Sequence, residues 1–296
     1  MNTHLDEADR LGAAYLEHLT DADLRLLADA EAVPEHAVGR RVDALRREPA
    51  LVLDVLDRPA ITTRVLSGSA ERGDGRFTMV TPFLVFVAAV HRAALELAGT
   101  SHVPDRAAPR LRVPVFDGAQ LSEYLAHRHR RLFLAELLAS FARVSSGVAV
   151  VQTPHGPRRR RWNDIDPRRL AVLLEAVPET ERASVWWRLG DLALFLTGVF
   201  PDAVERGLFS RVDLAALARV TGVHAEPGTA AGTDLLEWFG SRWYLQAARR
   251  VSAATAVAVL REHAEHFHLA RRVLNVVADR YLFPLDDGWF VDPRRA

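Results

Sequence analysis

The sequence predicts an all-α protein of about ten to twelve helices, in two packed helical subdomains with one β-hairpin at the seam. Three observations predict it. Trp186 to Pro201 is apolar on nearly every side and stops at a proline. Such a helix belongs inside a protein, covered by other helices, and it falls short of the roughly 20 residues that a bilayer span needs. Elsewhere apolar residues recur at three- and four-residue spacing through most of the chain. One segment alone, Val148–Trp162, carries the β-branched run, the Gly/Pro turn and the second arm that a hairpin requires. The expected division is residues 1–146, a hairpin and connection at 147–166, and residues 167–296.

Taken in order, Leu5, Ala8, Leu11, Tyr15 and Leu19, then Leu24, Leu27 and Ala28, mark two helices divided at Thr20-Asp21, a natural cap. A second stretch from Pro34 to about Leu56 is divided at Glu48-Pro49, because the residue before proline avoids helical backbone. Ser67–Thr78 is a glycine- and serine-rich loop. Pro82 then suits the first turn of the apolar helix 83–98. Thr100–Arg112 reads as a proline-punctuated connection and Val113–Phe116 as a short extended piece. Leu121–Val144 reads as one long amphipathic helix. After the hairpin, residues 170–177, 181–200, 212–221, 235–245 and 252–282 supply the second helical half. No period of repeats is visible.

Composition narrows the chemistry. At 49% hydrophobic and 26% charged the chain has the balance of a globular protein. It contains no cysteine, which removes disulfides, thiolate nucleophiles and cysteine-ligated metals. It contains no lysine, which removes a Walker-type phosphate loop and Schiff-base catalysis. The 38 positive charges, all arginine, equal the 38 negative ones, so a wholly basic nucleic-acid-binding surface is excluded while a local patch is not. The first residues carry no secretory pattern, and a cytoplasmic location is expected.

The strongest charge feature is the second hairpin arm, Arg158-Arg159-Arg160-Arg161-Trp162. On a strand, alternate arginines project to opposite faces. An exposed loop with arginines and an aromatic is suitable material for an interface, and Gly73-Asp74-Gly75 offers a lesser surface of the same kind. A basic arm beside an aromatic would equally suit phosphate contact and base stacking. The bland alternative is that Asp164, Asp166 and neighbouring acids neutralise these arginines. Glu123 with His127, and Glu262 with His266, have the four-residue spacing of helix-borne metal ligands. They lack the further carboxylates that a di-metal centre uses, and no metal or cofactor is assigned. Arg188 and Asp191 lie three apart on the apolar helix and are expected to pair with each other.

The run Gly190-Asp191-x-x-Leu194-Phe195-x-x-Gly198-x-Phe200-Pro201, followed by Phe267 and Leu274-Asn275-x-x-Ala278-Asp279-Arg280-Tyr281-Leu282, resembles a signature of uncharacterised helical proteins, mainly actinobacterial. The resemblance covers the second half of the chain and implies no activity, ligand or catalytic residue. Physically, Arg188, Gly190, Asp191, Phe195, Gly198, Phe200 and Pro201 suit packing. Gly190 and Gly198, about two turns apart, are expected to offer bare backbone to one neighbour. The function expected from the sequence is a non-enzymatic scaffold, adaptor or regulator acting on a protein partner through its surface. The alternatives are a nucleic-acid-binding regulator using the Arg158–Trp162 arm, and a helical metalloenzyme or small-ligand sensor with a pocket between the halves.

Overall fold

A computed structural model describes residues 2–67, 80–108, 111–208, 210–223 and 232–283. The fold is predominantly helical, with 72% of the described residues in helices, and the helices outnumber the ten to twelve expected. Two compact units can be distinguished. No helix among the described residues is long and apolar enough to cross a membrane.

The first unit comprises the described residues of Met1–His102, Phe116–Ala142 and Asp279–Ala296. It contains α1 (Asn2–His18), α2 (Asp21–Ala30), α3 (Glu35–Arg47), α4 (Ala50–Leu56), α5 (Pro59–Ser67), α6 (Pro82–Leu97), α7 (Gly118–Ala126) and α8 (Arg128–Ser140). Tyr15, Leu24, Leu27, Leu45, Leu53, Leu56 and Leu84 are among the side chains that form its core. Thr20 caps α2 in a reciprocal box with Asp23. The same buried Asp23 carboxylate accepts the backbone amide of Thr81 at 3.0 Å, and Thr81 caps α6 by accepting from the amide of Leu84. One carboxylate thus fixes two helix starts. Gly12 of α1 lies against the Pro49 carbonyl, which leaves no room for a Cβ.

The long helix expected over 121–144 is instead two, broken at His127, whose backbone is extended (φ −81°, ψ 109°). The break leaves carbonyls at the end of α7 without helical partners. Side chains of α8 satisfy two of them: Arg130 Nη1 donates to the Tyr124 carbonyl and Arg131 Nε to that of Leu125. Arg130 also lies over the Tyr124 ring.

The second unit comprises the described residues of Val103–Val115 and Arg143–Ala278. It holds two antiparallel hairpins, β1 (Val103–Ala108) with β2 (Leu111–Val115), and β3 (Ser146–Thr153) with β4 (Gly156–Asn163). The first was not expected as a hairpin: β2 largely matches the extended piece expected at Val113–Phe116, while β1 lies in the segment that read as a proline-punctuated connection. Pro104 and Pro114 face each other in the ladder. In a two-stranded ribbon every strand is an edge, so proline is tolerated where no amide is needed.

Helices α9 (Pro167–Ala171), α10 (Leu173–Ala176), α11 (Arg182–Val199), α12 (Pro201–Glu205), α13 (Arg211–Thr221), α14 (Thr233–Ala248), α15 (Ala254–Glu265) and α16 (Phe267–Val277) complete this unit. The apolar α11 packs along α14 and α16. Gly190 and Gly198 do not face one neighbour. An added Cβ at Gly190 would meet the Tyr244 ring of α14 at 2.6 Å, and at Gly198 it would meet Leu274 Cβ of α16 at 2.6 Å. Eight residues at about 100° each leave the two roughly 80° apart around the helix, which is enough to reach different helices. Gly240 of α14 makes a third close approach, to Phe267 and Ala193. The last predicted helix also divides, at His266.

Candidate functional site

The β3–β4 ribbon forms because Val148–Val151 favour extended backbone and Pro154-His155 turn the chain. Gly156 closes the turn with φ +97°, a conformation that side chains rarely adopt. Thr153 Oγ1 locks it, donating to the Gly156 carbonyl at 2.7 Å and accepting from the His155 amide. The register is unbroken from Ser146↔Asn163 to Thr153↔Gly156.

Residues that oppose one another across an antiparallel pair share a face. Gly147, Ala149, Val151, Arg158, Arg160 and Trp162 therefore lie on one side of the ribbon, and Val148, Val150, Arg159 and Arg161 on the other. The first side rests on the protein. Val151 is 4% exposed, β3 packs on α10, and β4 meets α9. Trp162 lies across Gly147, where an added Cβ would be 2.9 Å from the indole nitrogen. The indole is half-buried in the ribbon, on the side opposite Arg159 and Arg161. The second side faces solvent, with Val148 48% and Val150 52% exposed.

Arg158, Arg159, Arg160 and Arg161 are all exposed. The acids expected to neutralise them are engaged elsewhere. Asp164 is buried; its Oδ2 accepts from Arg188 Nη2 at 2.9 Å and its Oδ1 from the Ser145 amide at 2.8 Å. Asp166 caps α9, accepting from the Arg168 amide and pairing with Arg168 and Arg169. Arg168 extends to Asp213 at 2.6 Å. Bonds from Ser210 and from Arg168 hold the Asp213 carboxyl below its ordinary range. Among the described residues no ion pair reaches Arg158–Arg161.

The signature residues of α11 are architectural. Asp191 Oδ1 accepts the Tyr244 hydroxyl at 2.8 Å, so each member of the expected Arg188–Asp191 pair has a partner from another element. Asn275 Nδ2 donates to the carbonyls of Thr197 and Gly198, at 3.1 and 2.7 Å, satisfying the end of α11 from α16. Phe195 and Phe200 meet edge to face at 5.5 Å, and the buried Pro201 opens α12. Arg280 pairs with Glu96 in the first unit.

Glu123 and His127 are exposed in the first unit, while Glu262 and His266 belong to the second. His266 Nδ1 donates to the backbone carbonyl of Glu262, at 2.9 Å. Among the described residues no group of three or more histidine or acidic side chains is placed to hold a metal ion. Gly73-Asp74-Gly75 lies outside the described residues.

Sequence reasoning missed one cluster in the first unit. The Tyr15 hydroxyl donates to His91 Nε2 at 3.1 Å, and His91 Nδ1 donates to Asp57 Oδ1 at 3.1 Å. Arg131 Nη1 reaches Asp57 Oδ1, and Arg128 Nη2 reaches Oδ2, each at 2.7 Å. Burial alone would raise the Asp57 carboxyl. The bond from His91 and the two guanidiniums outweigh burial and hold it well below the usual carboxylate range. Burial lowers His91, against the pull of Asp57, and raises Tyr15. With Tyr15 at 0% and His91 at 1% exposure, the phenol and the imidazole are sealed within the unit, and the chain of bonds ties α1, α4, α6 and α8 together. Its members come from four helices far apart in sequence, and only Arg128 and Arg131 share local spacing.

No family model matches the chain, and no curated protein or solved structure is similar enough to count as a match.

Proposed function

We propose that this chain is a non-enzymatic adaptor or regulatory protein of the cytoplasm that engages an anionic protein partner through the β3–β4 ribbon. The observation that carries the reading is the run of four exposed arginines whose nearby acids, Asp164 and Asp166, are committed to other partners. Adjacent guanidiniums with no counter-charge repel one another and contribute nothing to holding the fold. The same groups, planar and weakly hydrated, form paired hydrogen bonds with carboxylates supplied from outside. Val148 and Val150 add apolar area between them.

The test is anisotropy of labelled poly-glutamate and of random duplex DNA, titrated with the protein at low and moderate salt. Poly-glutamate is expected to bind and to be released by salt. Arg159→Glu with Arg161→Glu is expected to abolish that binding. Binding of duplex alone, with a steep salt slope, would transfer the ribbon to nucleic acid, and binding of neither would end the proposal.

A further inference from the structure

The direction of the backbone groups along β4 says how such a partner would sit. Pro157 has no amide hydrogen, so it occupies a position that makes no ladder bond to β3. At the root of the ribbon the Asp164 amide donates to the Ser145 carbonyl at 3.0 Å, which marks that pair as a bonded one. Both ends give one alternation across the unbroken register. Arg158 and Arg160 exchange backbone bonds with β3. Arg159 and Arg161 direct their amides and carbonyls away from it, toward the open edge of β4.

The open edge therefore presents two donors and two acceptors in strand spacing, and the side chains at those same residues are cationic. We propose that β4 is a docking edge for an extended acidic segment of a partner protein, which adds as a third strand beside Arg159 and Arg161. The proposal rests on the reading of the ribbon as an anion-binding surface, and adds the backbone pairing and the partner's conformation. Strand addition takes its affinity from main-chain bonds and its selectivity from alternate side chains. On the outer face an incoming strand places its alternate residues beside Arg159 and Arg161, and on the other face beside Arg158 and Arg160. Carboxylates there meet guanidiniums at neighbouring-strand distance.

Charge selects the occupant. A second copy offering the same edge would set arginine against arginine, so the feature that admits an acidic strand rejects self-pairing. Edge arginines can serve that protective purpose alone, and the two roles differ in what they lead one to measure. A duplex contacts side chains by phosphate and has no use for an alternating row of peptide groups.

The experiment uses the full chain and a synthetic peptide of alternating Glu and Thr, beside its fully N-methylated counterpart and poly-glutamate. The plain peptide is expected to bind at low salt and the N-methylated one about tenfold more weakly or worse, since it lacks the donors for the edge. Hydrogen exchange at the Arg159 and Arg161 amides is expected to slow on peptide addition, while the amides of Arg158 and Arg160, already bonded to β3, change little. Equal binding of both peptides, with unprotected Arg159 and Arg161 amides, would overturn strand addition and leave the anion-binding reading standing. Failure of poly-glutamate and both peptides to bind would remove both, and the arginines would then serve only to guard the edge.

Discussion

Two sets of arginines, one in each unit, are used in opposite ways. Arg128 and Arg131 of α8 converge on a single carboxylate, Asp57, which also holds His91. Arg158–Arg161 of β4 meet no carboxylate among the described residues. The side chain is the same, so the difference lies in where the acids have gone. In the first unit an acid is placed between α4, α6 and α8 and draws the guanidiniums inward. In the second, the acids at the root of the ribbon are turned toward the protein, Asp164 to Arg188 and Asp166 to α9. Matched arginines hold helices together, and unmatched ones are left for something else to match.

The contrast can be broken most directly at Asp57. Asp57→Asn removes the charge that two guanidiniums and a buried imidazole share, and it is expected to cost about 2 kcal/mol, short of the loss for a fully buried pair because the carboxylate is part exposed. Urea unfolding measures it; a loss below about 1 kcal/mol would mean that the matched arginines do not stabilise their unit.

Next comes pH. The folded protein keeps His91 below the ordinary imidazole value of 6.5, so the unfolded chain takes up a proton there first. Stability is fully present above 6.5 and falls as pH drops from there through the lowered folded value, with Asp57 adding a further loss under acid conditions below 3.8. The urea midpoint followed against pH is expected to show this slope, and His91→Gln is expected to flatten it between pH 6.5 and the acid range. A slope unchanged by the substitution would assign it to other groups.

The smallest effect is expected on the ribbon. Reversing Arg159 and Arg161 to Glu should move stability by no more than about 0.5 kcal/mol, as for an exposed site without partners. A larger loss would show that these arginines are matched after all and would erase the contrast.

Much of the helical frame was legible because its signals are local. The Thr20 cap, the division at Glu48-Pro49, the first-turn Pro82 and the apolar run of α11 all depend on residues within a turn or two of one another. The hairpin was legible for the same reason, since its strands and turn are contiguous. What escaped was set by residues remote in sequence or by backbone detail. His127 ends α7 although the apolar spacing continues, because Arg130 and Arg131 can satisfy the carbonyls it frees. Of the β1–β2 ribbon the extended piece around Val113–Val115 was legible, but β1 and the pairing, in which Pro104 faces Pro114, were not. Arg188 finds Asp164, and Asp191 the hydroxyl of Tyr244, because tertiary packing supplied partners beyond the helix itself. The Asp57 cluster draws on four helices, and nothing in the spacing of Tyr15, Asp57 and His91 announces it. Of the ribbon, the charge was visible in the sequence. Which arginines share a face with Val148 and Val150, and where the neighbouring acids point, were not.

Asp164 closes the base of the ribbon through Ser145 and, with its other oxygen, grips Arg188 on α11. A hairpin hinged only by its two connecting chains would swing freely when tugged. This one is tied at its foot to α11, so the base of the ribbon keeps its place and bearing whatever meets its far end.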